Sequence, residues 1–597
     1  MSIYDAHRIY KPPWWKVGPL RKGRNKRTPY VIGFDSEAEK GKPFLFQWSL
    51  PDGTRDDVIL QDIPDEKHAG IRHFVEFLYK HCTRRDVDYI VFGFNLNYEY
   101  TQLFRDIDDD AKNAPELVID LQLHDENESR ISAMNDKRYT MQLTLGRSKI
   151  RVKVIDAMAY FVMSLDAASK IIEVGAKLPK PKQFAKRYRH TPAFIAYAKQ
   201  DAYLTRKLGE YVIALHERYD VNTCMSAPHF ASSTFRRHYL QSDLEPLDSD
   251  FEQFGLDSYH GGHNGYYLSD PVRFPVIWQY DIRSAYPEAM RQLPNLEDYE
   301  IEYLEEYEQG AHAIWEIEYR YTGCHYKPLS NHDGSPVQPG THLTRLTSYE
   351  IDEAIRQGEI ELISCKGFAM RGKPGGPLAD YVDEFYKLKS TTKNKAEKQT
   401  AKLFLNSLYG KFFQKVPRGL VGTWDLETGE YMVSDPSVEY DYDAGGLYHP
   451  PIASLITGFV RAKIHRLEHK YDAIMTSTDG FFAHNPPDAS DIGDALGQLD
   501  AKQGELRIWR ERLYVFDPND GTERKYALHG FRGKVAELLR MPISKGIFSY
   551  TAQAMISLKM STRSFRGVRY QAGEFTSMEF VLDLTRAKAS VAEIRPP

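Results

Sequence analysis

Short apolar runs and longer amphipathic stretches divide the chain into predicted elements. The segments "YVIGFDSEAE" (30–39), "DYIVFGFN" (88–95) and "KIRVKVIDAMAYF" (149–161) carry β-branched and aromatic runs too short for buried helices, and predict buried strands. The stretch "TPAFIAYAKQDAYLTRKLGEYVIALHERY" has helical periodicity with Thr191-Pro192 at its start. Strands alternating with helices predict one α/β unit to about residue 225. A Gly-rich passage, "SYHGGHNGYY" (258–267), leads to a strand in "PVIWQYDIRSAYP". Further on, the pattern predicts a helix in "TSYEIDEAIRQGEI", one long basic amphipathic helix over 379–412 and a hairpin in "GTWDLETGEYMVSD". A helix in "ASLITGFVRAKIHRLEHKY" then runs into "IMTSTDGFFAH" (474–484), where Asp479-Gly480 between apolar runs predicts a tight hairpin, the glycine taking the positive φ. Short strands and basic helices follow residue 505.

Length and charge narrow the picture. At about 150 residues per domain, 597 residues predict roughly four domains, or two large ones with subdomains. The net charge of −5 excludes a global electrostatic attraction to polyanions, so any such site is local. Cys82, Cys224, Cys324 and Cys365 form no Cys-x-x-Cys pair, which argues against a zinc or disulfide framework and for a reducing compartment. With no apolar leader and no run of about 18 apolar residues, no membrane association and a cytoplasmic protein are expected. Residues 11–30 hold seven basic residues, no acid, and Trp14 and Trp15. They read as a solvated leader or as a phosphate-tracking arm.

Three constellations could carry chemistry. In an extended strand Asp35 and Glu37 share a face, and paired carboxylates call for a hard cation such as Mg²⁺. Glu99 follows a second buried strand, and Tyr197 and Asp201 are four apart on one helical face. Converging, the four acids could hold two metals that activate water against a phosphodiester; taken singly, each is as readily a cap or a surface acid. Lys398, Lys402 and Asn406 form a stripe, with Tyr409 close to its line. That stripe suits a triphosphate, although lysine stripes are more often solvated faces. Asp281 ends a strand five residues before Tyr286, which Pro287 positions; a strand-terminal Asp is more often a cap.

In order along the chain, these pieces resemble the family B DNA polymerases. "DIRSAYP", "KLFLNSLYG" and "STDG" resemble the three polymerase motifs; "FDSE", "NLNYE" and "YAKQD" resemble the three motifs of the 3′→5′ proofreading exonuclease. "YHGG" (259–262) resembles the Tyr-x-Gly-Gly element of the protein-primed branch of small phages and linear plasmids. The resemblance implies an α/β and α+β multidomain fold, an RNase H-like exonuclease domain followed by a right-hand polymerase of palm, fingers and thumb. It implies Asp281 and Asp479 as ligands of catalytic Mg²⁺, with Mn²⁺ as a substitute, and Tyr286 as a steric gate under the deoxyribose. Lys398, Lys402 and Asn406 would meet the incoming dNTP and Tyr409 the nascent base pair. Asp35, Glu37, Glu99 and Asp201, as metal ligands, with Tyr197 and an auxiliary Lys177, would form the exonuclease site. Tyr259, Gly261, Gly262, Lys525 and Tyr526 would contact DNA. The implied partners are a DNA template-primer, dNTPs and a terminal protein primer.

The divisions implied are a basic arm (1–30), the exonuclease domain (31–225), linker and palm (226–292), a first insertion of terminal-protein type with palm (293–375), fingers (376–412), a second insertion forming a strand-displacement hairpin (413–447), palm (448–505) and thumb (506–597). The sequence departs from the family pattern in three places. Ser477 stands where the third polymerase motif has its first acid, Glu99 stands for an Asp, and Arg524 for a Lys. Two rivals remain open at this point: a polymerase using a nucleic-acid primer or none, and a catalytically weak nucleic-acid-binding relic.

Overall fold

The computed structural model describes residues 9–12, 15–113, 116–122, 128–134, 139–146, 148–323, 337–417, 420–424, 430–433, 442–565 and 568–585. Trp14, Cys324 and part of the second predicted insertion lie outside them.

Three parallel strands, Thr28–Glu39, Val87–Gly93 and Ile150–Asp156, form the centre of a ten-stranded sheet, each ending in or near an acid. They are apolar because both faces are covered. Helix Pro192–Arg218 lies across Thr28–Glu39, and a glycine makes the approach close: a Cβ at Gly33 would stand 2.2 Å from the Ala202 carbonyl. The helix starts where expected, with Thr191 at its N-cap and Pro192 as first residue.

The second large sheet is antiparallel and has seven strands. From one edge they are His263–Tyr266, Ala473–Thr478, Gly480–Ala483, Val272–Ile282, Leu499–Arg510, Leu513–Pro518 and Lys525–Leu528. Helices Ala285–Gln292, Pro377–Thr391, Lys395–Ser407 and Pro450–Tyr471 contribute to the main core together with Tyr280, Phe404 and Tyr471. A four-stranded sheet (Glu300–Leu304, Ile360–Arg371, Ala313–Tyr321, Gly340–Thr347) has its own core around Trp315 and Tyr319. Near the C-terminus, Ile547–Met555 pairs with Phe575–Asp583.

Three expectations change. The long helix of 379–412 is two helices, Pro377–Thr391 and Lys395–Ser407, followed by a 3₁₀ turn Tyr409–Phe413. Asn394 breaks it by accepting the Ala396 and Glu397 N–H groups as an N-cap. In the hairpin at 474–484, Ser477 pairs with Gly480, so Thr478 and Asp479 make the turn. The left-handed φ of +63° falls on Thr478, not on the glycine. The stretch 11–30 is only in part a solvated leader: Lys16, Arg21, Lys22, Lys26 and Arg27 are exposed, but the chain around them is anchored. Ile9–Tyr10 pairs with Tyr442–Asp443, Val17 is buried in the main core, and the Leu20 N–H donates to Arg236. The hairpin Leu420–Trp424/Tyr431–Val433 forms as expected. Its first strand pairs in parallel with Glu116–Gln122 and extends the N-terminal sheet.

Two candidate carboxylate centres

The first centre lies on the seven-stranded sheet. Asp281 sits opposite Gly480 on one neighbouring strand and Asp500 on the other. The Ile282 N–H donates to the Asp479 carbonyl at 2.9 Å, which ties the turn to the end of the Asp281 strand. Solvent reaches Asp281, but the protein atoms packed around it raise its carboxyl above the usual range, with Lys525 and then Lys402 pulling the other way. Burial, and then Asp281, push the Asp479 carboxyl up to about 6. Two acids that disfavour each other's charge make a site for a divalent cation.

Cations line one side. Lys389 was not read from the sequence. Its ammonium donates to Ser284 Oγ at 2.9 Å, and burial together with Lys402, Arg283 and Lys398 lowers its pKa. Lys389 lay hidden in the stretch "YKLKSTTKNK" because only the break in the helix turns it toward Lys402. Arg283 also reaches Asp500 at 3.1 Å. Lys398, Lys402 and Asn406 are exposed, as a surface meeting a soluble ligand must be. Tyr286 is buried and stacks on Tyr409, ring centroids 4.0 Å apart and planes within 3°.

The Gly-rich passage meets the same place. A Cβ at Gly262 would stand 2.6 Å from Thr478 Cγ2 and 2.9 Å from the Tyr286 hydroxyl. Tyr259 stacks on Phe413 at 3.6 Å, and the Gly261 carbonyl accepts from Arg461 at 3.3 Å. Arg461 is fixed by a buried ion pair with Glu350, 2.8 Å. Lys525 faces Asp281 electrostatically, whereas the ring of Tyr526 is exposed. Ser477 pairs with Asn264, one strand beyond the Asp281–Gly480 pair.

The second centre lies at the ends of the parallel strands. Burial, with Asp201 next, pushes Asp35 up to about 7. Burial raises Glu37 and Glu99 well above the carboxylate range, Asp35 being the leading charge in both cases. Lys177 bonds Asp201 at 2.6 Å, its ammonium 5.2 Å from the centre of the Tyr197 ring. The structure therefore brings Asp35, Glu37, Glu99, Asp201, Tyr197 and Lys177 together. Glu99 Oε2 and Asp201 Oδ1 are buried without a hydrogen-bond partner. Buried orphaned carboxylate oxygens at this density suit hard divalent cations. Asp156, which the sequence reading passed over, accepts the N–H groups of Asn95, Leu96 and Met158 and so anchors the turn into the Glu99 helix. Its only signal was an acid closing a buried strand.

Residues 159–419 match the family model described as DNA polymerase type B, organellar and viral. A probable DNA polymerase of Agaricus bitorquis is 24% identical over 250 residues, covering 40% of this chain and 31% of that protein. The chain thus matches about a third of that relative's length. Among solved structures, the ternary complex of Phi29 DNA polymerase with primer-template DNA and incoming nucleotide superposes with a TM-score of 0.66, at 14% identity, over 94% of this chain and 100% of that one. Phi29 DNA polymerase complexed with single-stranded DNA gives 0.62, at 15% identity and the same coverage. The fold is that of the Phi29 polymerase, mixed α/β and multidomain, and the resemblance to the family B DNA polymerases is borne out.

Proposed function

We propose that this chain is a DNA-templated DNA polymerase with a 3′→5′ exonuclease, built for protein-primed replication with strand displacement. The observation that carries the reading is the seating of Asp281 and Asp479 at one end of adjacent strands, beside the stacked Tyr286 and Tyr409 and the Lys389–Lys402 cations. The residue roles set out from the sequence are part of this proposal.

Asp281 and Asp479 would hold Mg²⁺ in the first centre; Asp35, Glu37, Glu99 and Asp201 would do so in the second. The cations would lower the pKa of the attacking hydroxyl or water and neutralise charge on the transferred phosphate. The chain's own residues do the rest. Lys398, Lys402, Asn406 and Lys389 bind the triphosphate and offset the charge that develops on it. Tyr286, backed by Tyr409 and Gly262, presents a fixed edge to the sugar. Tyr259, Gly261 and Gly262, with Lys525 and Tyr526, guide the DNA. At the second centre Tyr197 orients water and Lys177 holds Asp201.

Primer extension with Mg²⁺ tests the first centre. Wild type extends and Asp479→Asn does not; equal inertness of both proteins sinks the reading in favour of a relic. Priming is tested by supplying a candidate terminal protein and looking for nucleotide joined to its hydroxyl side chain. Extension only from a nucleic-acid primer would exclude the protein-primed form.

A further inference from the structure

Away from both centres, Glu359, His465 and His469 meet. His465 and His469 are one turn apart on helix Pro450–Tyr471, and their rings face each other edge to face at 4.7 Å. Glu359 comes from the turn that ends helix Ser348–Arg356. Gly358 takes a φ of +71° there, and the Glu359 N–H closes onto the Ala354 carbonyl. Thr322 bonds the Glu359 carbonyl through both its N–H and its hydroxyl, which fixes the backbone that carries the carboxylate. Glu359 Oε1 lies 3.0 Å from His465 Nε2 and 2.9 Å from His469 Nε2.

We propose that these three side chains form a binding site for a zinc-class transition metal. Two imidazoles on one helical face and a carboxylate are a donor set that suits Zn²⁺ and its neighbours, not Mg²⁺. The spacing is close to what such an ion demands. In a tetrahedral site with bonds of about 2.0–2.1 Å, ligand atoms sit about 3.4 Å apart, so the two contacts of Glu359 need to open by only a few tenths of an ångström, and all three donor atoms lie within 4.8 Å of one another.

The outer contacts fit as well. His465 Nδ1 lies 3.5 Å from Glu468 Oε2, and neither atom has a hydrogen-bond partner, so a small turn of the ring would give the carboxylate–histidine arrangement that orients a metal-bound imidazole. Glu468 is itself held by the Tyr267 hydroxyl and by Thr476 and His263. Glu359 and His465 are buried; His469 is partly exposed, which leaves water access to a fourth position. The ion would join the turn at the edge of the four-stranded sheet to the helix that precedes the Asp479 hairpin, and so act as a clasp behind the first centre.

The test uses the full chain, dialysed against a chelator and re-equilibrated with Zn²⁺ under excess Mg²⁺, which occupies the carboxylate-only sites. Wild type should retain one zinc more than His469→Gln, show imidazole scattering in zinc X-ray absorption, and melt higher with zinc than without. His469→Gln and Glu359→Gln should bind that zinc at least tenfold more weakly while keeping the wild-type circular dichroism. Equal zinc retention in wild type and His469→Gln, or bound zinc without imidazole scattering, overturns the proposal and leaves the cluster a set of buried ion pairs only.

Discussion

Gly262 is pressed between Thr478 and Tyr286, so that the Gly-rich strand, the hairpin turn and the stacked tyrosines meet at one point. Glycine is the residue this point requires. Gly262→Ala is expected to displace the Thr478 turn or the Tyr286 ring and to lower primer extension by on the order of tenfold or more. Steady-state extension kinetics on a folded variant would measure it, and wild-type kinetics would refute the contact's importance.

The two carboxylate centres are separate in space, so their chemistry should separate by mutation. Asp479→Asn should lower extension by on the order of 10³-fold and leave degradation of a 3′-labelled strand intact; Asp35→Asn should do the reverse. A variant that loses both activities while remaining folded would contradict two independent sites.

Ser477 leaves the first centre with fewer acids than the family pattern. Ser477→Asp is expected to shift half-saturating Mg²⁺ downward severalfold in primer extension. An unchanged or higher requirement would show that position 477 does not face the cation.

Thr478 holds a left-handed backbone that costs a β-branched residue about 1–3 kcal/mol. Thr478→Gly should relieve part of this, raising the melting midpoint while slowing extension as Asp479 gains freedom. A lower midpoint together with unchanged extension would show that the turn stores no strain.

His216 is buried and neutral. Its Nδ1–H donates to the Val212 carbonyl at 2.7 Å, and its Nε2 accepts the Cys224 N–H at 3.2 Å. Burial lowers its pKa from 6.5 to about 4. The unfolded chain therefore binds a proton that the folded chain does not. Stability is full above pH 6.5 and falls as pH drops from there toward 4, at up to about 1.4 kcal/mol per pH unit. His216→Gln should flatten that part of a denaturation-versus-pH curve; an unaltered slope would rule the residue out.

The parallel strands, the helix after Thr191 and the hairpin at 474–484 were legible because each buries a face whose periodicity shows in the sequence. Asp35 and Asp281 were legible as acids closing apolar strands, whereas Asp479 read by itself as a turn residue, and only the resemblance to the family motifs gave it and Glu99 their places in the two centres. Lys389 was not, since its approach to Lys402 depends on the Asn394 cap dividing a pattern that is continuous in hydrophobicity. Asp156 was passed over because its work, accepting the N–H groups of Asn95 and Leu96 from a loop about sixty residues earlier in the chain, leaves no local pattern. The clasp residues Glu359, His465 and His469 were missed for another reason: Glu359 lies over a hundred residues from the histidines, and no local period reports that distance.

Leu420 pairs with Leu117 across more than three hundred residues of chain, so a strand from one half of the protein is stitched into the sheet of the other. Swinging the halves apart would tear that seam. On the proposed reading, that seam opposes carrying a mispaired primer end from synthesis to removal by movement of the protein. The DNA end would then unzip and travel, and the rate of correction should follow how easily the last base pairs melt.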